Sequence, residues 1–439
     1  MRITQLGQTN SQTNSQTNSE TIKVKQKPPG FSIKVEIELM PRIPSLILSS
    51  LLITVPNAAA LAEDNSGIPA QPLNSAALQN NLSKSNGLPQ NGTSSVELAD
   101  GVKLYDGWTE LMYAAWKGNL DAVKDLLAKP YKIDAQGEDG RTALSYAAWR
   151  GHASIARLLI KQGADINHAD ASGFTPLILA AKNGRLETVD ELVVRGASIN
   201  STDKNGRTAL IWATRMGYGE VSSYLAEKGA NPNIQDKTHM TALTTAARFS
   251  YETIALKLIF SGANPNASDG FGRSALWFAA DSGAVKMVEM LLKQNVNVNI
   301  RDSRQQTPLM RAAKNGHDEV VKKLLLKGAH VNLQSDNGNT ALMFAAIGGH
   351  DAIAKTLMES RTDVNITNAS GNTALILASE RGDVDMINAL INYGASTSQV
   401  NKLGNSAYTV AKNEGHEKAV KVLDEFEKGE LGLLKKILE

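Results

Sequence analysis

The chain has 439 residues, 42% of them hydrophobic and 21% charged, which are the proportions of a folded protein. It has no cysteine, and this excludes disulfides, zinc ribbons, iron–sulfur clusters and thiol catalysis together. The formal net charge of +2 gives no ground for a nucleic-acid partner.

Residues 1–39 open with the polar low-complexity tract TNSQTNSQTNS, from Thr9 to Ser19, which has nothing to bury. The text changes at Met40. Arg42 precedes an apolar run from Leu46 to Val55, and Ala60-Leu61-Ala62 leads into Glu63 and Asp64. A positive start, an apolar middle and an A-x-A ending describe a secretory signal peptide over residues 40–62, cleaved near Ala62. Such a segment belongs at an N-terminus, so translation is expected to begin at Met40, with residues 1–39 upstream of the true start. Pro44, Pro56, Asn57 and several serines argue against the rival reading of an uncleaved anchor. Export to the periplasm or beyond the cell is therefore expected, with no stable membrane insertion after cleavage. The lack of cysteine suits such a compartment. Removing residues 1–62 takes away six basic and three acidic residues, leaving 40 Lys+Arg against 41 Asp+Glu. Residues 63–103, rich in Asn, Ser, Gln, Pro and Gly, read as a flexible linker.

From Thr109 the sequence falls into ten rows of 33 without an insertion. Thr or Ser opens each row: Thr109, Thr142, Thr175, Thr208, Thr241, Ser274, Thr307, Thr340, Thr373 and Ser406. Leucine stands two positions on in nine rows, and alanine three further in all ten. A glycine column runs from Gly118 to Gly415, broken only by Ser250. The hydroxyl suits a helix N-cap, the small residues suit close helix approach, and the glycine suits a left-handed helix end. A second helix follows, with apolar residues at helical spacing such as Val320, Val321, Leu324 and Leu325, then an extended loop with a tight reversal. One such unit cannot bury its own apolar face, so the units are expected to stack.

The pattern D-x-x-G-x-T-x-L-x-x-A-A-x-x-G…L-L-x-x-G-A-x-x-N resembles the ankyrin repeat over residues 104–428, about three-quarters of the chain. The resemblance implies an all-α repeat solenoid of ten helix-turn-helix units with loop and β-turn fingers, monomeric and built to bind protein. With neighbouring helices about 8–10 Å apart, ten units make a curved rod on the order of 90 Å long. One column departs from the family, which usually has His directly after the leucine. Here stand Met112, Ser145, Ile178, Ile211, Thr244, Trp277, Met310, Met343, Ile376 and Thr409. That exchange removes the family's usual polar ladder. Residues 429–439 read as a separate amphipathic tail over the end of the stack.

No catalytic, metal or cofactor site is expected. His152, His317, His350 and His416 occupy one repeat column, for which the resemblance implies a structural role. His168, His239 and His330 lie in loops without ligand spacing, and no phosphate loop or nucleophile elbow occurs. A hydrolase with its site built across units is the reading of another class, opposed only by the absence of motifs.

Two variable columns carry the functional expectation. Before the capping residue stand Trp108, Arg141, Phe174, Arg207, Met240 and Arg273, giving way to Gln306, Asn339, Asn372 and Asn405. After the alanine pair stand Trp116, Trp149, Lys182, Arg215 and Arg248, then Asp281, Lys314, Ile347, Glu380 and Asn413. Aromatic and cationic residues are enriched at binding hot spots. Trp108, Trp116, Arg141, Trp149, Phe174, Lys182, Arg207, Arg215, Arg248 and Arg273 are therefore the candidate contacts. They would lie on the concave face implied by the resemblance and suit an acidic or amphipathic protein segment. Capping of the stack end is the rival role for Trp108 and Trp116. The expected function is a non-enzymatic protein-binding scaffold, with a secreted effector that binds a host protein as the alternative biology. Unit five, with His239 and Ser250 where other units have glycine, is expected to be the softest point of the array.

Overall fold

The computed structural model describes residues 107–438 together with two short strands, β1 (Val96–Glu97) and β2 (Lys103–Leu104). The low-complexity tract, the signal segment and most of the linker lie outside the described residues. Within the expected linker, β1 and β2 pair antiparallel, Val96 opposite Leu104 and Glu97 opposite Lys103.

The described helices come in pairs, one pair per 33-residue unit. Units one to three hold α1 (Glu110–Lys117) with α2 (Leu120–Leu127), α3 (Ala143–Arg150) with α4 (Ala153–Lys161), and α5 (Pro176–Lys182) with α6 (Leu186–Val194). Units four to six hold α7 (Ala209–Arg215) with α8 (Gly219–Glu227), α9 (Ala242–Arg248) with α10 (Glu252–Phe260), and α11 (Ala275–Asp281) with α12 (Val285–Leu292). Units seven to ten hold α13 (Pro308–Lys314) with α14 (Asp318–Leu326), α15 (Ala341–Gly348) with α16 (Asp351–Glu359), α17 (Ala374–Arg381) with α18 (Val384–Asn392), and α19 (Ala407–Asn413) with α20 (Glu417–Leu438). Each first helix packs on the first helix of the next unit and on its own second helix. The architecture is an all-α repeat solenoid.

Local chemistry accounts for every boundary of the first helices. All ten opening Thr or Ser residues have extended backbone, and each hydroxyl accepts from the N–H three positions on, as in Met112 N to Thr109 Oγ1 at 3.2 Å. Such a cap is worth about 1 kcal/mol over alanine. The column glycines all have positive φ, from 68° at Gly184 to 90° at Gly151. The leucine column from Leu111 to Leu375 and the alanines beside it are buried, each leucine contributing roughly 1.5–3 kcal/mol relative to exposure.

The missing histidine ladder is replaced by two others. Each turn donates a backbone N–H to the preceding turn, as in Lys204 N to Ser172 O at 3.1 Å and Lys237 N to Asn205 O at 2.8 Å. The asparagine that ends seven of the loops, from Asn167 to Asn365, accepts from the next loop, as in Ser198 N to Asn167 Oδ1 and Asn231 N to Asn200 Oδ1, both at 2.8 Å, and Asp134 does the same in the first. The histidine column is structural. Its Nε2 atoms bond the carbonyl thirty-six residues back: His152 to Trp116 O at 3.3 Å, His317 to Asp281 O at 3.0 Å, His350 to Lys314 O at 3.1 Å and His416 to Glu380 O at 2.9 Å.

The chain's end differs from expectation. No separate tail follows unit ten, because α20 runs unbroken through Leu438. Glu427 occupies the position where Gly394 and its equivalents end a second helix in the left-handed conformation, so the helix is not stopped there. Among the described residues, no helix is long and apolar enough to cross a membrane.

Candidate protein-binding face

The site begins with an acid that sequence reading treated only as part of a turn. Asp170, Asp203, Asp236, Asp269 and Asp302 recur at 33-residue intervals and are all buried. One carboxylate oxygen of each accepts two turn N–H groups, for example Ser172 N and Phe174 N at 2.8 and 2.9 Å on Asp170 Oδ1. The second oxygen then needs a donor, since an unpaired buried charge is costly.

The cations before the cap supply it. Arg141 Nε donates to Asp170 Oδ2 at 3.0 Å, Arg207 Nε lies 3.5 Å from Asp236 Oδ2, and Arg273 Nε donates to Asp269 Oδ2 at 2.8 Å. Asp203 Oδ2 takes the indole N–H of Trp212 at 2.9 Å. The arginines Arg141, Arg207 and Arg273 of the expected contact set thus belong to the frame. Phe174 and Arg207 are buried at 4% and 6% exposure, and Trp116 at 7%. Phe174, Arg207 and Trp116 were expected to face a partner, but their side chains are buried beneath the face.

The same geometry explains the trend along the array. From unit seven the turn acid becomes Ser335, Asn368 and Asn401, while the arginine becomes Asn339 and Asn372. Asn368 Nδ2 donates to Asn339 Oδ1 at 2.8 Å, and Asn401 Nδ2 to Asn372 Oδ1 at 2.9 Å. An amide pair does there what the ion pair does earlier. In this column the change from cation to amide tracks an internal partner.

Trp108 packs on Trp116 (ring centroids 6.0 Å apart) and on Tyr146 (4.3 Å), which joins units one and two at the start of the stack. Tyr146 is fully buried and its hydroxyl donates to both oxygens of Asp139. Burial above all, with the Asp139 charge behind it, pushes this phenol well above the ordinary tyrosine range.

The column after the alanine pair behaves differently. Trp149, Lys182 and Arg215 are half-buried and Arg248 is exposed. The Lys182 ammonium sits 4.2 Å from the Trp212 ring centre and 4.6 Å from that of Phe174, and Arg207 stacks on Trp212 from 5.0 Å. Burial, and then Arg141 and Arg207, hold the lysine below its ordinary pKa against the pull of Asp203 and Asp170. Arg141 lies over Trp149 at 5.5 Å, while Arg215 and Arg248 approach Phe249 at 6.0 and 5.9 Å. Among the described residues, the side chains of Lys182 and Arg248 make no hydrogen bond or ion pair and contact rings instead. The row stops at Asp281, which takes Arg311 Nε at 2.8 Å and Asn315 Nδ2 at 2.8 Å. Trp212 and Phe249 were missed in the sequence: Phe249 stands in a column with no period, whereas Trp212 belongs to an aromatic series in alternate units, Tyr146, Trp212, Phe278 and Phe344, which could have found it.

Among the described residues no cluster of His, Cys, Asp and Glu could hold a metal ion. Stacked helix pairs repeated every 33 residues define a protein-binding repeat scaffold. The family model described as ankyrin repeats (3 copies) matches in overlapping windows at 111–203, 178–269, 243–335, 276–368, 309–401 and 342–430. The chain belongs to the ankyrin repeat family. Comparison with curated proteins gives no match.

Proposed function

We propose that this chain is an exported, non-enzymatic scaffold that holds a partner protein along the first-helix row of units two to five. The carrying observation is the contrast between the two columns. The arginines before the cap are engaged with buried aspartates, whereas Lys182 and Arg248 have no carboxylate partner and stand among rings. Partly desolvated cations beside aromatic rings are the groups that give hot-spot energy and steering in protein association. Photo-crosslinking in the cells that make the protein tests this. A photoreactive residue replacing Arg248 is expected to trap a discrete partner, and one replacing Lys355 on the second helix of unit eight is not. Equal capture from both positions, or none from position 248, refutes the reading.

The export half rests on the Arg42, Leu46–Val55 and Ala60-Leu61-Ala62 pattern. N-terminal sequencing of the mature protein is expected to begin near Glu63. A mature chain that begins before Met40 would sink it.

A further inference from the structure

We infer that the row of Trp149, Lys182, Arg215 and Arg248 takes an acidic partner segment in a polyproline II conformation, with one carboxylate at every third residue and an apolar end at Trp149. This rests on the protein-binding reading above and adds the chemistry of the partner.

Lys182, Arg215 and Arg248 occupy one column in three consecutive units. Lys182 is held in place by the Phe174 and Trp212 rings at 4.6 and 4.2 Å, so its position is defined before any ligand arrives. Arg141 and Arg207 crowd it with like charge that Asp203 and Asp170 only partly offset, and a carboxylate at this point would add to that relief in a partly desolvated setting. The row is bounded. Trp149 with Arg141 over it opens the run, and Asp281, already engaged by Arg311, closes it with a charge that would repel an acid. The ligand is therefore about three units long and asymmetric.

Spacing selects its conformation. Neighbouring first helices stand about 8–10 Å apart. A polyproline II segment rises about 3.1 Å per residue with three residues per turn, so every third side chain returns to the same face after about 9.3 Å. A β-strand alternates faces, repeating every second residue at roughly 6.7 Å, and falls out of step with the units. An α-helix would match only with acids seven residues apart, at about 10.5 Å. The half-buried rings of Trp149 and Phe249 favour the extended form, since aromatic-lined grooves are what polyproline II segments dock against.

The test uses the full chain and fluorescence anisotropy at low ionic strength. The probe is a labelled peptide of four Glu-Pro-Ser repeats. Its comparators are an isomer with the four glutamates contiguous, a helical peptide with glutamate at every seventh position, and oligothymidylate. The repeat peptide is expected to bind about tenfold tighter than the contiguous isomer and to outcompete the other two. Arg248→Gln, an exposed change that spares the fold, is expected to weaken it about fivefold, and Lys182→Gln further. Equal binding of the two isomers overturns the inference, as does preference for the helical peptide or the nucleic acid, absence of binding, or indifference to Arg248→Gln. Photo-crosslinking at position 248 does not depend on the partner's chemistry. A trapped partner with no peptide binding therefore removes this inference and leaves the protein-binding reading standing.

Discussion

Ser250 and Ala284 form a matched pair, and exchanging them for the array's usual residues gives a quantitative test of how the units join. At most column glycines an added Cβ would strike the side chain that opens the second helix of the next unit. It would lie 2.5 Å from the His152 ring at Gly118, 2.5 Å from the His317 ring at Gly283, and 2.8 Å from the Tyr218 ring at Gly184. Ser250 has that Cβ, at φ 57°, and the residue thirty-four positions on is Ala284, which has no ring to strike. The junction between units five and six therefore lacks both the ring contact and the ring-to-carbonyl hydrogen bond made at His152 and His317.

Ala284→His alone would drive an imidazole onto the Ser250 Cβ, and overpacking of this kind costs about 1–3 kcal/mol. Ser250→Gly alone relieves a left-handed strain of about 1 kcal/mol, but glycine's extra unfolded-state entropy takes back roughly 0.5–1 kcal/mol. That single change is thus nearly neutral. Together the two changes let the ring seat over glycine and bond the Arg248 carbonyl, a gain of about 1 kcal/mol. The expected coupling is about 2–4 kcal/mol in favour of the pair, at the upper end of the range seen for residues in contact. The assay is hydrogen exchange across α9 to α12, because a repeat array need not unfold in one step. In the wild type this stretch is expected to open first, and in the double variant to rise to the level of its neighbours. Additivity within about 0.5 kcal/mol, or uniform protection of the wild-type array, would refute the reasoning.

The turn pairs predict a second cycle. Asp170→Asn leaves the Arg141 guanidinium without its buried carboxylate and is expected to cost about 3 kcal/mol in urea unfolding, whereas adding Arg141→Asn, which copies the Asn339–Asn368 pair, is expected to restore most of the loss; a double variant no better than the single one contradicts it. His152 supplies the pH dependence. Burial foremost holds its folded pKa below the ordinary 6.5, so the unfolded chain takes up the proton more readily. Its contribution is complete above 6.5 and is lost as pH falls toward the folded value. Local exchange protection at the junction of units one and two should therefore weaken on acidification from pH 7 to 5. His152→Asn, which does not titrate there, should flatten that slope, and an unchanged slope would show that other groups carry it.

The repeat was legible because each part of it answers a local need. A hydroxyl caps a helix, a glycine takes a left-handed turn, and an apolar stripe at helical spacing must be covered, so the period, the unit boundaries and the stacked architecture follow from residues near one another in the chain. The partner of each cation was not legible. Arg141 meets Asp170 twenty-nine residues on, and Lys182 meets Trp212 thirty residues on. These distances are closed only by stacking one unit on the next. The sequence alone showed a gradient from arginine to asparagine, and its plain reading was a surface. Only the tertiary structure divided those cations into two sets. One neutralises buried aspartates because a charge removed from water must be paired, and the other, represented by Lys182 and Arg248, stands beside aromatic rings. The break at Ser250 was visible as a missing glycine, but its compensation by Ala284 was not, because nothing short of the packed junction says which side chain lies above which turn.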